Sequence, residues 1–250
     1  MKNFFVSVLV VAALAAFGAY ARAMDPFGET GFFLTPHAEV PEQGSINFGY
    51  RFLDWPVAGG DLHGGSLIFG VAKDLEVGYG LISYGDTDRH TVSAKYRLLY
   101  NKVTGFTVAA AVQAFLRGGA NQPSEDWNLQ GYLTAAFPYP YGIFRIGGIV
   151  TKDDKDENKP AFMGAVDYML YPDITLFYEY TSLSRMSGTQ AHSGGVRWIP
   201  SDRLPIIIDF GAVNSEFVEG QGTETVFTAG VSFGYHEKYI EERFDPTLSK

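Results

Sequence analysis

The sequence predicts an all-β protein, a transmembrane antiparallel up-and-down β-barrel of about twelve strands. Apolar and polar residues alternate with period two along segments of roughly 9 to 12 residues, as strands with one wet and one apolar face require. The connections alternate between short turns and longer polar loops. Among the 250 residues, 20 Phe, 15 Tyr and 29 Gly occur with little helical periodicity, which favours β structure.

The chain opens with MKNFFVSVLVVAALAAFGAYARA, a short charged start, an apolar core and small residues at Ala21 and Ala23. This reads as a secretory signal over 1–23, cleaved after Ala23 or after Ala21, because the core is short for a membrane helix. Loss of Lys2 and Arg22 with the signal takes the net charge from −9 to −11. So acidic a chain is a poor candidate for binding nucleic acid or an anionic membrane surface. Cysteine is absent, which excludes thiol catalysis, thiolate metal sites and disulfides.

Residues 24–43 read as a periplasmic segment leading into the barrel. Within it TGFFLTPHAEVPEQG, broken by Pro36 and Pro41, precedes the alternation of Ile46, Phe48, Tyr50 and Phe52 with Ser45, Asn47, Gly49 and Arg51. The expectation is that residues 30 to 43 tuck beside or beneath the periplasmic mouth, held by Phe32, Phe33 and Leu34, with Gly44 launching the first strand.

The barrel itself is expected over 44–235. Its strands fall at 44–53, 64–72, 75–84, 90–100, 106–117, 126–137, 142–151, 161–171, 174–182, 190–199, 205–213 and 225–235. The sixth sets Leu129, Gly131, Leu133, Ala135 and Phe137 against Asn128, Gln130, Tyr132 and Thr134. The last sets Phe227, Ala229, Val231, Phe233 and Tyr235 against Thr228, Gly230, Ser232 and Gly234. Turns such as Lys73-Asp74 and Pro172-Asp173 mark the periplasmic side, and loops such as RGGANQPSED and TKDDKDENKP the outer side. Only the link from Gly85 to Asp88 is short where a longer one is expected. The charged stretch HEKYIEERFDPTLSK, 236–250, reads as a periplasmic tail.

A soluble barrel would invert the two faces, apolar inside and polar outside. Three features favour the membrane. Aromatics gather at strand ends on the apolar face, at Tyr100, Trp127, Phe137, Tyr139, Trp198 and Tyr235, as interface girdles do. The polar face mixes charges with many small residues, which suits a crowded wet interior. Twelve strands behind a signal peptide also fit an even-numbered barrel that closes its first strand on its last.

The residues expected to line the lumen are Arg51, Glu76, Lys95, Arg97, Arg117, Arg145, Asp167, Glu179, Arg197 and Asp209. They make either a selectivity lining for a polar solute or a salt-bridged interior that fills a small barrel. Glu76 and Arg97 are symmetric about the 85–88 link and are expected to face each other.

Catalytic signals are weak. His192-Ser193 is the one candidate pair, but adjacent strand residues point to opposite faces and cannot meet as nucleophile and base. Asp154, Asp156 and Asn158 have the one-three-five spacing of a calcium loop, yet Lys159 stands where its Gly belongs and Ala165 where its closing Glu belongs. No phosphate loop, HExxH or dinucleotide fingerprint is present. The expectation is no catalytic, cofactor or metal residue.

The stretch Thr30-Gly31, Phe32 to Leu34, Pro36-His37-Ala38 and Gly44 resembles the corresponding segment of YjbH-like outer-membrane proteins. The resemblance covers about 20 residues, departs from the pattern at His37, and implies a non-enzymatic role in exopolysaccharide export or envelope maintenance in the outer membrane of a Gram-negative cell. A small-solute pore and a lipid-modifying barrel enzyme are the alternatives. Expected partners are outer-membrane lipids and lipopolysaccharide, with polysaccharide or export-system proteins further candidates.

Overall fold

The structure, a computed structural model, describes residues 31, 34–54, 62–84, 87–119, 127–152, 158–182, 190–200, 206–215 and 223–235. The expected signal peptide and C-terminal tail, and the calcium-like loop Asp153 to Glu157, lie outside the described residues.

Twelve strands form one closed antiparallel barrel. They are β1 (Ile46–Leu53), β2 (Leu62–Ala72), β3 (Leu75–Tyr84), β4 (Thr87–Tyr100), β5 (Thr107–Gly119), β6 (Trp127–Tyr139), β7 (Gly142–Lys152), β8 (Asn158–Tyr171), β9 (Ile174–Thr181), β10 (Ala191–Trp198), β11 (Ile206–Ser215) and β12 (Glu224–Tyr235). Each pairs with its chain neighbours, and β1 closes on β12 from Ile46↔Tyr235 to Leu53↔Thr228. Closure leaves no sheet edge, which the hydrocarbon core of a membrane demands.

The two faces separate by chemistry. Phe48, Leu133, Val112, Phe162 and Phe210 are exposed on the outside, while Asn47, Thr134, Gln113, Ser93 and Ser232 are buried inside. Apolar surface outside and polar groups within is the pattern of an outer-membrane barrel and the reverse of a soluble one. Tyr100, Phe137 and Trp198 lie exposed at strand ends, where a girdle is expected.

The two-residue turns 73–74, 140–141 and 172–173 share one rim with the connections 101–106 and 199–205, while the other rim carries 54–61, 120–126, 153–157, 182–190 and 216–223 together with the short link 85–86. Lys73-Asp74 is a two-residue hairpin with Asp74 at φ 67°, a conformation that Asp tolerates better than most residues. Register shifts occur between Gly70 and Ala72, Arg97 and Leu99, and Met169 and Tyr171, all beside short turns. Bulges at a barrel rim bend the strands into their turns.

Two expectations need correction. Residues 34–41 do not sit beside or beneath the mouth. They run inside the barrel, where Leu34, Thr35, His37, Ala38 and Val40 are all buried. A mouth position would have left Leu34 and Val40 in water, whereas an interior path covers them with wall residues. Glu76 does not face Arg97. The link between β3 and β4 spans only 85–86, so the register brings Lys95 opposite Glu76.

Candidate functional site: the occupied lumen

Gly44 turns the chain into β1 with φ 83°, a conformation that glycine adopts without a Cβ penalty. Its amide donates to the Gly70 carbonyl at 2.7 Å, and Gly70 donates back to Ser45 at 3.0 Å. A Cβ on Gly70 would stand 1.9 Å from the Glu42 carbonyl oxygen, so glycine there is what lets the segment pass against β2. From this basal contact residues 34–41 occupy the lumen.

Near the other rim the wall contributes Leu53, Leu62, Ile82, Phe115, Ala191, Val213 and Val226 from the ends of seven strands. With Ala165 and Phe177 they make an apolar collar around Leu34. Burying one leucine so fully is worth about 1.5–3 kcal/mol. Near the short-turn rim Ala38 packs on Ala109, Ala136 and Ile143.

Polar contacts lie between these layers. The Glu179 Oε2 atom accepts the amides of Leu34 at 2.9 Å and Thr35 at 2.8 Å, and the Thr35 hydroxyl at 2.8 Å. Its Oε1 atom accepts the Ser193 hydroxyl at 2.6 Å. Arg145 donates to Asp167 at 2.6 Å and to Glu39 at 3.1 Å, joining wall to segment. His37 lies 3.8 Å from Glu39. Burial, and then the Arg145 charge, hold its imidazole well below the ordinary value of 6.5, so this contact involves a neutral ring.

Elsewhere the wall satisfies itself. Asp209 accepts Arg197 at 2.8 and 3.3 Å and Arg51 at 3.2 Å, and Lys95 meets Glu76 at 3.1 Å with both side chains fully covered. Gly230 leaves the space beside the Arg51 guanidinium, 3.1 Å from its would-be Cβ.

The expected lining residues therefore divide by place. Arg51, Glu76, Lys95, Arg145, Asp167, Glu179, Arg197 and Asp209 are buried within the barrel. Arg97 sits half-buried at the short-turn rim, bound to Asp74. The Arg117 side chain lies outside the described residues. Sequence reading missed Thr35 and Glu39, which meet partners more than a hundred residues away. It also missed the collar, although Leu53, Ile82 and Phe115 interrupt the polar phase of their strands and so carried a signal. His192 and Ser193 point apart as expected: His192 bonds Tyr178, and Ser193 bonds Glu179.

Neither a family model nor a curated protein sequence matches the chain. Solved structures do. A KdgM porin superposes with a TM-score of 0.57 at 16% identity, covering 77% of this chain and 99% of that one. A KdgM porin in complex with disordered oligogalacturonate gives 0.55 at 15% identity, over 77% and 99%. A NanC porin gives 0.53 at 13% identity, over 76% and 98%. The chain shares the fold of these outer-membrane porins. Fold and apolar belt together place it in the outer membrane of a Gram-negative bacterium.

Proposed function

We propose that the protein is a non-enzymatic pore for small polar solutes, held shut by residues 34–43. The observation that carries this reading is that the contacts holding the segment are separable from those holding the wall. If the segment leaves, Arg145 keeps Asp167, Glu179 keeps Ser193, and the Arg51–Asp209–Arg197 and Glu76–Lys95 groups are untouched. The emptied barrel would then carry a charged, water-accepting lining rather than a row of orphaned groups.

The fold shared with KdgM and NanC porins supports the same reading, and the KdgM complex with oligogalacturonate makes short saccharides one class of solute to try. Exopolysaccharide export, which the resemblance to YjbH-like proteins implies, fits less well, because a polymer needs a wide bore and this interior is occupied. The test is solute flux into liposomes. Deleting residues 34–41 should raise the uptake of small sugars well above that of the intact protein while the barrel stays folded. A folded deletion variant no more permeable than the intact protein would reject the pore.

A further inference from the structure

The outward faces of three hairpins carry the same pair of side chains. Tyr50 and His63, Tyr79 and His90, and Tyr178 and His192 bring a tyrosine oxygen to a histidine Nδ1 at 2.5, 2.6 and 2.5 Å. Ring centroids are 6.1 Å apart in all three. The register is also the same. Tyr50 lies across from Gly65, Tyr79 from Val92 and Tyr178 from Gly194, and each histidine stands two residues before that partner. All three histidines therefore lie at the rim opposite the Lys73-Asp74 and Pro172-Asp173 turns, on the second strand of their hairpin.

Cross-strand packing alone does not account for this. Two neighbouring rings stabilise a hairpin as well with Phe as with His, and an imidazole in hydrocarbon is costly. At headgroup depth the cost disappears, and the dyad gains a use. With Nδ1 engaged by the tyrosine, Nε2 is the second ring nitrogen an outside acceptor can meet, and a ring whose Nδ1 accepts the hydroxyl carries its proton on Nε2.

A second feature lies beside two of the dyads. A largely apolar groove on the outer face of β10, β11, β12 and β1 is lined by Phe52, Val196, Phe210, Ala212, Phe227 and Ala229, with Asp54 the one charged residue of its lining, on the loop side. The Phe52 ring sits 5.4 Å from that of His63, and His192 stands on β10 at the groove's other side. Small side chains floor the groove and aromatic ones border it, a shape that takes an acyl chain.

We propose that these dyads bind the phosphorylated headgroups of outer-leaflet lipid, with acyl chain in the adjoining groove and Nε2 of His63 and His192 donating to phosphate. His90, on β4 two strands beyond His63 and away from the groove, forms a third such contact. The ligand class is a phosphorylated lipid, and lipid A is the probe.

The intact protein in detergent should retain bis-phosphorylated lipid A roughly tenfold more tightly than its dephosphorylated form, as a pair of charge-assisted hydrogen bonds warrants. The triple variant His63→Phe, His90→Phe, His192→Phe keeps rings at all three positions and should lose that discrimination, with retention of the dephosphorylated lipid unchanged. Native mass spectrometry reads both. Equal retention of the two lipids by the intact protein, or discrimination that survives in the triple variant, overturns the proposal. Should the triple variant fail to fold, His63→Phe and His192→Phe singly should each weaken phosphorylated-lipid retention by roughly two- to threefold, and no weakening in either overturns it equally.

Discussion

Lys95 and Glu76 are both fully covered, and their worth lies in each other. Removing one partner of such a pair costs about 3–5 kcal/mol, because the other buried charge loses its ion-pair partner, whereas replacing both by apolar residues of similar volume is close to neutral. Glu76→Ala should therefore unfold far more easily than Glu76→Leu combined with Lys95→Met. Thermal unfolding in detergent measures the coupling, and a coupling near zero would mean that water reaches both groups. His37 makes a different prediction. Burial comes first, then Arg145, Arg197 and Lys95, in holding its pKa well below 6.5, while Glu39 pulls the other way. The released segment therefore binds more protons than the seated one, so seating weakens as pH falls below 6.5. At Glu39 burial opposes ionisation, but the Arg145 charge and its hydrogen bond outweigh it and hold the carboxyl well below 4.5, so its share of the hold is complete above 4.5 and fails only at lower pH. Conductance should rise between about pH 7 and pH 5.5, and His37→Phe should abolish the rise. A flat profile in the intact protein would contradict a neutral, seated His37.

Strands were legible because their periodicity is local and one-sided. Phe48, Tyr50 and Phe52 announce an apolar face from three residues, and lipid makes that face obligatory over its whole length. Turns were legible for a similar reason, since Lys73-Asp74 and Pro172-Asp173 carry their own conformational signals. Registers were less so: a link of two residues rather than four between β3 and β4 shifted the partner of Glu76 from Arg97 to Lys95. The segment 34–43 was least legible, because it has no period and its partners lie 145 and 106 residues away. On β6 the two faces give a direct test. Leu133→Arg places a cation in lipid and should cost about 2–4 kcal/mol. Thr134→Arg faces the occupied interior, where Thr134 bonds the Ile146 carbonyl at 3.4 Å and Pro36, Arg145 and Met163 crowd the same place. It should impair assembly too, and deletion of residues 34–41 should relieve Thr134→Arg without helping Leu133→Arg. Yield of heat-modifiable folded barrel reads both, and rescue of neither or of both would contradict the assignment of faces or the path of the segment.

At the scale of the molecule the barrel is a wall that satisfies its own charges around an inserted segment of its own chain. That division explains how a porin fold and a filled interior occur together. The wall resists because each of the described buried lumen charges has a wall partner. The segment is held by one apolar tip, by Glu179 and by Arg145. Its release is the central claim, and the absence of cysteine makes that claim accessible to a single measurement. Thr35→Cys combined with Ser193→Cys places thiols on the two residues that share Glu179. Joined by a short reducible crosslinker, they tie the segment to β10. In planar bilayers the crosslinked protein should be silent and the same membrane should show discrete conductance steps once the link is reduced. Steps of equal size and frequency before and after reduction would show that solutes do not wait on residues 34–43, and the account would be wrong.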